Sequence, residues 1–451
     1  MLDQTRSSHR VAAVVPTWNE VASVGAVVSG LRQAGACCVF VVDAGSTDGT
    51  PEAVRAAGGL VVEETRRGYG RACLTGAEAA RGHELIAFLD GDGSCAPADL
   101  PRLVAAAEAA DLVLGRRVVV EPGALPWHAR LGNALVAALI SLRSGRSVRD
   151  LPPFKVTRAD ALAALALDDE GYGWTAQLVA RGLVNPGLRV VEAATVFRPR
   201  DGGFSKVSGR LGPSLQAGRR MLATSWSATR RRGALVLMAK APRSGHSKTR
   251  LERELGGPEA TRFWTACLRD SARLLQAAAL ECGATALAMA PSPEEAREVR
   301  ALTGLPCLAQ VKAGLGEALL EVSELPAPFT VAVSADTPTL PKETLVQAVT
   351  AVRAGRAVLG PGHDGGYYLV GLPRGFDRGR RTQAFLGSPL GGGGALAHAR
   401  RALGRVELLQ PWADVDTAAD LEELSAQLKG DSAQAPAVAT WLDQYRGQRV
   451  G

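Results

Sequence analysis

The sequence predicts an α/β protein with two consecutive domains, each built around a mostly parallel sheet. Its 451 residues exceed the size of one ordinary core, which holds about 150 residues. Short apolar runs alternate with helical patterns, as is typical of βαβ units, and the alternation begins again after Arg230–Arg232. In each half, a strand of buried type also ends in an acidic turn, at Asp90–Asp92 and at Asp336.

The first half alternates predicted strands with predicted helices. Apolar runs predict strands at Val11–Val15, Val39–Asp43, Leu60–Glu63, Leu85–Asp90 and Asp111–Gly115. Helices are predicted between them at Val21–Gln33, Thr50–Ala57, Tyr69–Arg81 and Pro97–Ala109. Parallel strands joined by helices bring their carboxyl ends to one edge of the sheet, which is where open α/β sheets bind ligands.

The second half repeats this architecture with different residues. Strands are predicted at Ala234–Ala239, Thr285–Ala290, Thr330–Ala335, Ala357–Leu359 and Tyr367–Gly371. Helices are predicted at Pro258–Ala279, Pro293–Leu302 and Lys342–Arg353. We therefore expect one domain over residues 1–232 and a second over residues 233–428. Residues 429–451 are predicted to form a polar tail, although Trp441, Leu442 and Tyr445 would also allow a short helix that docks on the domain.

The composition is that of a globular protein in a reducing compartment. Hydrophobic residues make up 46% of the chain and charged residues 22%, which excludes a disordered protein. The seven cysteines show neither C-x-x-C spacing nor a Cys/His cluster, so reduced thiols are expected. The apolar run at 11–15 is too short for a signal peptide, and the run at 134–142 is well below the ~20 residues of a membrane span. These features predict a cytoplasmic protein without a transmembrane helix.

The net charge of +7 is concentrated near the end of the first domain. Against one acidic residue, Asp201, the segment 198–232 holds nine basic ones: Arg198, Arg200, Lys206, Arg210, Arg219, Arg220, Arg230, Arg231 and Arg232. Such a patch is suited to phosphates or to an anionic bilayer, with a solvated basic helix as the alternative. Nucleic acid is not expected, because no recognition motif accompanies the patch.

Residues 209–232 combine these cations with an apolar face. Leu215, Met221, Leu222 and Trp226 would supply the apolar contacts of an interfacial helix. A packed linker helix would show the same pattern. The sequence therefore leaves open whether the protein is purely cytoplasmic or also peripheral at the inner face of the membrane.

Polar residues end three strands of the first domain at the same predicted edge. Asp43 can accept hydrogen bonds from a nucleobase, and the following segment 46–50 can cap a helix. Asp90 and Asp92 can hold a Mg²⁺ or Mn²⁺ ion that carries a diphosphate. Helix capping alone would explain each turn separately, but their joint order indicates a ligand cleft.

At these residues the chain resembles the family-2 inverting glycosyltransferases, specifically the branch of polyprenyl-phosphate mannose and glucose synthases. The resemblance covers residues 10–228 and includes the runs Arg67-Gly-Tyr-Gly70, Tyr172-Gly-Trp-Thr175 and Arg198-Pro-Arg200. It implies a Rossmann-like nucleotide-diphospho-sugar transferase fold, known as glycosyltransferase-A. It also implies transfer of a sugar from a UDP- or GDP-sugar donor to an acceptor such as a lipid phosphate.

The resemblance also implies roles for individual residues. Pro16, Glu20 and Asp43 would line the nucleotide pocket, and Asp90 and Asp92 would hold the metal, with Asp92 counted as catalytic. The residues implied for the diphosphate or the acceptor phosphate are Arg200, Ser205 and Lys206.

Two positions depart from the pattern of the branch. Gln177 stands where the branch usually carries an acidic residue, and an amide cannot act as a base. The run Asp150–Lys155 reads Asp-Leu-Pro-Pro-Phe-Lys in place of the usual Asp-Leu-Gly-Pro-Phe-Arg.

The second domain begins with a cationic loop. Its first strand is followed by Lys240, Arg243, Lys248 and Arg250, which suit the phosphates of a nucleoside triphosphate. The loop lacks P-loop spacing, and a solvated basic loop is the alternative. His246 and His363 lie in loops of this domain and are interpreted as bystanders.

Later motifs of this domain resemble a glycosyltransferase-A-like family. That family is associated with arsenosugar biosynthesis and is similar to phospholactate guanylyltransferase and the molybdenum-cofactor nucleotidyltransferases. The resemblance covers residues 234–428 and implies that Asp336 and Asp416 coordinate Mg²⁺. Asp336 and Asp364 are counted as catalytic, with Asp364 near the acceptor. The segment Phe385–Gly394 departs from the usual aromatic pattern.

Together these features predict a bifunctional, metal-dependent transferase. The first domain would transfer a sugar, and the second would transfer a nucleotidyl or glycosyl group. The alternative is a nucleotide-binding regulatory or scaffold protein in which one or both domains are inactive.

Overall fold

The computed structural model describes residues 11–121, 124–200, 211–245, 247–387 and 393–450, with side chains described for all of these except 211–216 and 447–450. The chain divides into two compact units, Met1–Arg230 and Arg231–Gly451. Among the described helices, none is long and apolar enough to cross a membrane.

The first unit alternates strands and helices. Its strands are β1 (Val11–Thr17), β2 (Cys38–Asp43), β3 (Leu60–Glu63), β4 (Leu85–Phe88), β5 (Leu112–Val119), β6 (Lys155–Arg158) and β7 (Val190–Phe197). Its helices are α1 (Val21–Gln33), α2 (Thr50–Ala56), α3 (Tyr69–Ala79), α4 (Leu100–Ala106), α5 (Trp127–Ser144), α6 (Ala159–Leu165), α7 (Trp174–Val184) and α8 (Leu211–Ala228).

The second unit repeats the alternation. Its strands are β8 (Ala234–Met238), β9 (Thr285–Ala290), β10 (Cys307–Ala309), β11 (Phe329–Ser334), β12 (Ala357–Pro361), β13 (Tyr367–Pro373) and β14 (Val406–Leu408). Its helices are α9 (Thr249–Leu255), α10 (Gly257–Cys282), α11 (Pro293–Thr303), α12 (Leu315–Ser323), α13 (Lys342–Arg353), α14 (Arg378–Leu386), α15 (Ala395–Leu403), α16 (Ala418–Gly430) and α17 (Pro436–Val450).

The two sheets have the same topology. The first has the strand order β3-β2-β1-β4-β6-β5-β7, and the second has β10-β9-β8-β11-β13-β12-β14. Numbered within each unit, both orders read 3-2-1-4-6-5-7. Only the sixth strand, β6 or β13, runs antiparallel to its neighbours, so both sheets are mostly parallel. The predicted fold class is confirmed.

Each central strand is apolar on both faces because helices cover both sides of the sheet. In β1, Val14 packs into one core layer with Phe88, whereas Val15 packs into the opposite layer with Leu89. Side chains of successive strand residues point to opposite faces, so continuous apolar runs fill two layers at once. This burial explains why the central strands are visible in the sequence.

The sixth strands were not all visible in this way. Strand β6 has the sequence Lys-Val-Thr-Arg, which contains one apolar residue, and no strand was predicted there. Its place in the sheet depends on pairing with β4 and β5. The sheet also gains β7, which pairs in parallel with β5 over eight residue pairs.

The C-terminal segment corrects the prediction of a polar tail. Helix α17 packs on α10, and the Trp441 ring lies 5.0 Å from the ring of Phe263. Trp441 and Leu442 are each 5% exposed, and the backbone amides of Ala437 and Val438 donate to the Asp270 carboxylate. The aromatic residues therefore dock a helix on the second unit. The polar composition of the segment had suggested a tail instead.

Candidate functional site

The first site lies at the carboxyl edge of the first sheet, where the loops after β1 and β2 hold each other. The Asn19 amide donates to the Ser46 hydroxyl at 2.8 Å, and the Thr47 amide donates to the Asn19 side-chain oxygen at 2.9 Å. The Glu20 amide donates to the Thr50 hydroxyl at 2.9 Å. This network places Glu20 and the half-buried Pro16 beside the end of β2.

Asp43 ends β2 and is buried, with its carboxylate directed into its own loop. The Ser46 amide donates to Oδ2 at 3.0 Å, and the Ser46 hydroxyl donates to Oδ1 at 2.5 Å. Asp48 in the same loop accepts from the Val21 amide at 3.1 Å. The loop that the sequence associated with the nucleotide is therefore pre-ordered, and the pocket role of Asp43 stays a prediction.

The acidic turn after β4 brings Asp90 and Asp92 into the same cleft. A Cβ atom at the intervening Gly91 would lie 2.5 Å from the Thr17 methyl group, so the turn requires glycine for its close approach to β1. Asp92 is 4% exposed, and its Oδ1 accepts from the Ser94 amide and hydroxyl at 3.0 and 2.6 Å.

Asp90 differs from Asp92 in that one of its carboxylate oxygens, the buried Oδ1 atom, has no hydrogen bond from the described side chains. Burial, together with the neighbouring Asp92 carboxylate, raises the pKa of Asp90 to about 6. An ionised carboxylate with an unpartnered buried oxygen is unfavourable in free energy. Binding of a cation or of a proton at Asp90 would remove this cost.

Arg200 supplies the opposite charge from the end of β7. Its guanidinium lies 3.0 Å from Asp92 Oδ2, and its side chain remains 33% exposed. It therefore faces the cleft while paired with the acidic turn. Ser205 and Lys206, which the sequence placed with it, lie outside the described residues.

Lys155 is a further cation of this cleft that the sequence analysis did not select. It begins β6 opposite Phe88 of β4 and is completely buried. Its ammonium donates to the Thr175 hydroxyl at 2.9 Å and lies 5.1 Å from the centre of the Trp174 ring. Burial lowers the pKa of Lys155, although the Asp90 carboxylate opposes this effect. The sequence signal that could have identified Lys155 is that it replaces the arginine that usually ends the Asp150–Lys155 run.

The beginning of that run is anchored by an ion pair. The Arg117 guanidinium donates to both Asp150 carboxylate oxygens, at 2.9 and 2.5 Å, and the Arg117 amide donates to the same group at 3.0 Å. This bidentate pair joins β5 to the loop before β6. Asp150 is therefore positioned as a structural partner of Arg117.

Gln177 occupies a structural position at the start of α7. Its side-chain oxygen accepts from the backbone amides of Asp168 and Asp169 at 3.0 and 3.1 Å, while its amide nitrogen donates to the Asp168 carboxylate. With every polar atom committed and 6% exposure, Gln177 holds the loop before the Tyr-Gly-Trp-Thr run. That loop in turn accepts from the amides of Gly70 and Arg71 through the carbonyls of Gly171 and Glu170.

The second site lies at the corresponding edge of the second sheet and is centred on Lys248. The Lys248 ammonium is 3.0 Å from Asp336 Oδ2 and 2.6 Å from Asp416 Oδ1, and its side chain is 4% exposed. Lys248 has a positive φ of 55°, which is uncommon for a residue other than glycine. Three sequence-predicted residues thus meet in one cluster.

Asp414 joins this cluster, although the sequence analysis did not assign it a role. Ligand oxygens of Asp336, Asp414 and Asp416 lie within 4.8 Å of one another. Burial, together with Asp336 and Asp416, raises the pKa of Asp414. Burial would also raise the pKa of Asp336, but the Lys248 ammonium and the Ser334 hydroxyl outweigh it and lower that pKa. The sequence signal that could have identified Asp414 is its position two residues before Asp416.

The other described residues that were predicted for the second domain are exposed or have other charged partners. Arg243 pairs with Glu294 at 3.1 Å and with Glu298. Lys240 and Arg250 are exposed, and Asp364 is exposed with Oδ1 accepting from the Gly366 amide at 2.8 Å. Their phosphate or acceptor roles stay predictions. His363 is exposed, and His246 lies outside the described residues.

Two family models match the chain. The model described as glycosyl transferase family 2 matches residues 12–161, which include the acidic turn after β4. A model described as an uncharacterized protein conserved in bacteria, DUF2064, matches residues 273–391, which include Asp336 and Asp364.

Three curated relatives illustrate the similarity of the first unit. An uncharacterized glycosyltransferase of Mycobacterium tuberculosis is 40% identical over 208 residues, which cover 46% of this chain and 94% of the relative. An undecaprenyl-phosphate mannosyltransferase of Micrococcus luteus is 34% identical, over 44% of this chain and 88% of the relative. A polyprenol monophosphomannose synthase of Mycolicibacterium smegmatis is 30% identical, over 45% and 83% respectively.

The raised pKa of Asp90 predicts a pH-dependent gain in stability for Asp90→Asn. Between the ordinary pKa of 3.8 and the folded value of about 6, the folded state holds a proton that the unfolded state has lost, so stability falls as pH rises through this window. In metal-free buffer at pH 8, the variant should exceed the wild type in free energy of unfolding by up to about 3 kcal/mol. The advantage should disappear near pH 4.

Urea unfolding across this pH range measures the difference, with the exposed Glu52→Gln as the control variant. A stability difference between Asp90→Asn and the wild type that does not change with pH would contradict the prediction.

The Lys248 cluster predicts a loss of stability for Lys248→Met. Removal of the buried ammonium leaves Asp336 and Asp416, whose side chains are 24% and 38% exposed, without their partner, which should cost about 1–3 kcal/mol in the presence of a chelator. Mn²⁺ should restore part of this loss in urea unfolding, because the cation replaces the missing charge. Lys240→Met in the same loop is the matched control and should unfold like the wild type, since Lys240 is exposed. Equal stability of the two variants would refute the role of the cluster.

Proposed function

This chain belongs to glycosyltransferase family 2, and we propose that its first unit transfers a hexose from a UDP- or GDP-sugar to a polyprenyl phosphate. The observation that carries the proposal is the meeting of opposite charges at the edge of the first sheet. Asp90 and Asp92 follow β4, and Arg200 follows β7 on the other side of the cleft. Carboxylates can hold a divalent cation that carries a nucleoside diphosphate, and a guanidinium can bind the phosphates directly. The chain supplies both kinds of group at this edge.

The donor set fits a divalent cation. Asp90 Oδ1 is buried without a hydrogen-bond partner among the described side chains, and Asp92 Oδ2 is paired with the partly exposed Arg200. Carboxylate oxygens are the preferred ligands of Mg²⁺ and Mn²⁺. When bound, such a cation would neutralise the charge that develops on the leaving diphosphate. The residues of the chain would orient the donor, with Arg200 positioned to contact its phosphates.

A phosphate acceptor is consistent with the position of Gln177. Its amide is fully committed to the loop at Asp168 and Asp169, so it has no part in proton transfer. An acceptor that is already anionic needs no general base to become nucleophilic. The Micrococcus luteus and Mycolicibacterium smegmatis relatives carry names that specify polyprenyl-phosphate acceptors, which supports the same acceptor class here.

Helices α5 and α8 offer a surface where a lipid acceptor could be reached. They pack against each other, and we call their exposed apolar residues the α5–α8 face. On α5 this face comprises Trp127, Leu131, Leu135 and Leu142, with exposures of 75%, 53%, 55% and 83%. These positions fall within an arc of about 80° on the helix. On α8 it comprises Leu222 and Trp226, which are 38% and 53% exposed.

Charge also favours an anionic membrane surface as the partner of this face. Neither α5 nor α8 contains an aspartate or glutamate, whereas the exposed Arg130 and Arg219 lie on these helices. Exposed tryptophan, leucine and arginine together are typical of peripheral membrane helices. Helix α8 packs on α7 and also exposes Trp226, so the two sequence alternatives are compatible with each other. Peripheral attachment at the inner face of the membrane is part of the proposal.

For the second unit we propose transfer of a nucleotidyl or glycosyl group, which would make the protein bifunctional. Its sheet has the same strand order as the first, and Asp336 follows the fourth strand as Asp90 does. Asp336, Asp414 and Asp416 could hold a divalent cation, and Lys248 already supplies one positive charge among them. Nucleoside triphosphate is the donor that the cationic loop would suit.

The two activities should separate by mutation in the intact chain. With Mn²⁺ or Mg²⁺, hexose transfer from UDP- or GDP-sugar to undecaprenyl phosphate should fall by about 100-fold or more in Asp92→Asn and Arg200→Met, because charge stabilisation at the leaving group is lost. Asp336→Asn should leave this transfer unchanged and should abolish metal-dependent turnover of a nucleoside triphosphate. Product formation on thin-layer chromatography and pyrophosphate release provide the two measurements.

Glu52→Gln, an exposed position on α2, is the control for the first activity. The proposal fails if the wild type transfers no hexose from either donor. A protein that binds nucleotides without any turnover would instead be the regulatory alternative.

The α5–α8 face predicts binding to anionic vesicles. The wild type should sediment with vesicles that contain anionic phospholipid and much less with purely zwitterionic ones. The double variant Trp127→Ala/Leu142→Ala should lose about 10-fold or more in partitioning, because it removes two large exposed apolar contacts. Leu280→Ala, which alters an equally exposed leucine on α10, should bind like the wild type. If the double variant and the wild type sediment equally, the face is not the membrane contact.

A further inference from the structure

A cluster of soft metal ligands lies at the amino edge of the first sheet, opposite the transfer site. It comprises Cys37 and Cys38 at the beginning of β2 and His83, two residues before β4. One ligand atom of each residue lies within 4.8 Å of the other two. Spacing in the sequence predicted no Cys/His cluster, and this prediction is wrong. His83 is 45 residues from Cys38 in the chain, but the two residues are close together in the folded sheet.

Strand β1 brings the three residues together. It pairs in parallel with β2 on one side and with β4 on the other, so that Ala12 lies beside Cys38 and Val11 beside Leu85. The Cys37 amide also donates to the Val11 carbonyl at 2.9 Å. The backbone on both sides of the cluster is thus fixed by the central strands of the sheet.

A hydrogen bond fixes the tautomer of His83 and leaves a lone pair on its other ring nitrogen. Its Nδ1 atom lies 2.9 Å from the Ala80 carbonyl oxygen, which can only accept, so Nδ1 carries the proton. The lone pair is then on Nε2. A backbone carbonyl that fixes the tautomer and the ring orientation is a common outer partner of metal-binding histidines. The ring is further held by an edge contact with Phe40, at 6.0 Å between centroids.

We propose that Cys37, Cys38 and His83 bind one thiophilic divalent cation of the Zn²⁺ type. Two thiolates and one neutral imidazole form a donor set that zinc prefers, and they leave a fourth position for water. On binding, the two thiols release two protons, and the two thiolates balance the charge of the cation. Cys37 is exposed and the other two residues are partly exposed, so the ion has access.

The site is separate from sugar transfer. It lies at the amino end of β2, and Asp43 lies at the carboxyl end, six residues along a strand that rises about 3.3 Å per residue. The cation would therefore link Cys37 and Cys38, at the beginning of β2, to His83 in the segment that precedes β4. Its expected effect is on stability, because an ion that binds only the folded state stabilises that state by mass action.

Titration of the full-length, reduced protein with Co²⁺ tests this proposal. Cobalt bound by thiolates gives an intense charge-transfer absorption that carboxylate sites do not give. We expect the band to saturate at about one ion per chain, and Cys37→Ser, Cys38→Ser or His83→Gln to weaken binding about 10-fold or more. Zn²⁺ should displace Co²⁺ and raise the melting temperature of the wild type but not of the Cys37→Ser/Cys38→Ser variant.

Cys307→Ser is the matched control, because Cys307 is also partly exposed but lies in the second unit. It should bind Co²⁺ as the wild type does. Metal-free circular dichroism establishes that each variant is folded. The proposal is overturned if the wild type gives no thiolate band, or if the band persists unchanged in the Cys37→Ser/Cys38→Ser variant. Either result is independent of hexose transfer, which is measured separately on the same proteins.

Discussion

The site of each unit depends on one constraint, which is that buried or partly buried carboxylates after the fourth strand need a positive charge nearby. In the first unit Asp92 is paired with Arg200, and Asp90 is left with a raised pKa. In the second unit Lys248 lies between Asp336 and Asp416. An unpaired buried charge is costly, so the loops that deliver these cations are tied to the acidic turns. The same electrostatic need makes each edge suitable for a cation and a phosphate.

The two units meet this need with the same topology but with different loops. In the first unit, the loop after the seventh strand contributes a cation, Arg200, whereas the corresponding loop in the second unit contributes the carboxylates Asp414 and Asp416. In the second unit the cation comes from the loop after the first strand, as Lys248. Two sheets with one strand order therefore share a carboxylate after the fourth strand but take the neighbouring cation from different loops.

The edges of the first sheet are also chemically distinct. The carboxyl edge collects oxygen ligands and cations that suit a nucleoside diphosphate and a hard divalent ion. The amino edge collects sulfur and imidazole, which suit a softer ion. A parallel sheet makes this separation possible, because every parallel strand presents the same end to the same edge. Helices α5 and α8 add large exposed apolar side chains, such as Trp127, Leu142 and Trp226.

The sequence by itself determined the elements whose side chains are buried on both faces, together with the acidic turns that end them. Strands such as β1 and β11 are continuous apolar runs, because helices cover both sides of the sheet, and burial of this kind leaves a local signature. Asp90, Asp92, Asp336 and Asp416 were identifiable because each follows such a run or a family motif.

Only the tertiary structure decided which distant residues meet. Lys155 lies on a short polar strand whose place depends on pairing, Gln177 is a loop anchor because of backbone amides eight and nine residues before it, and His83 meets Cys37 and Cys38 through β1. Trp441 docks a segment whose composition is polar. Except for those of Gln177, these contacts join residues far apart in the chain, and no local pattern of hydrophobicity or spacing encodes them.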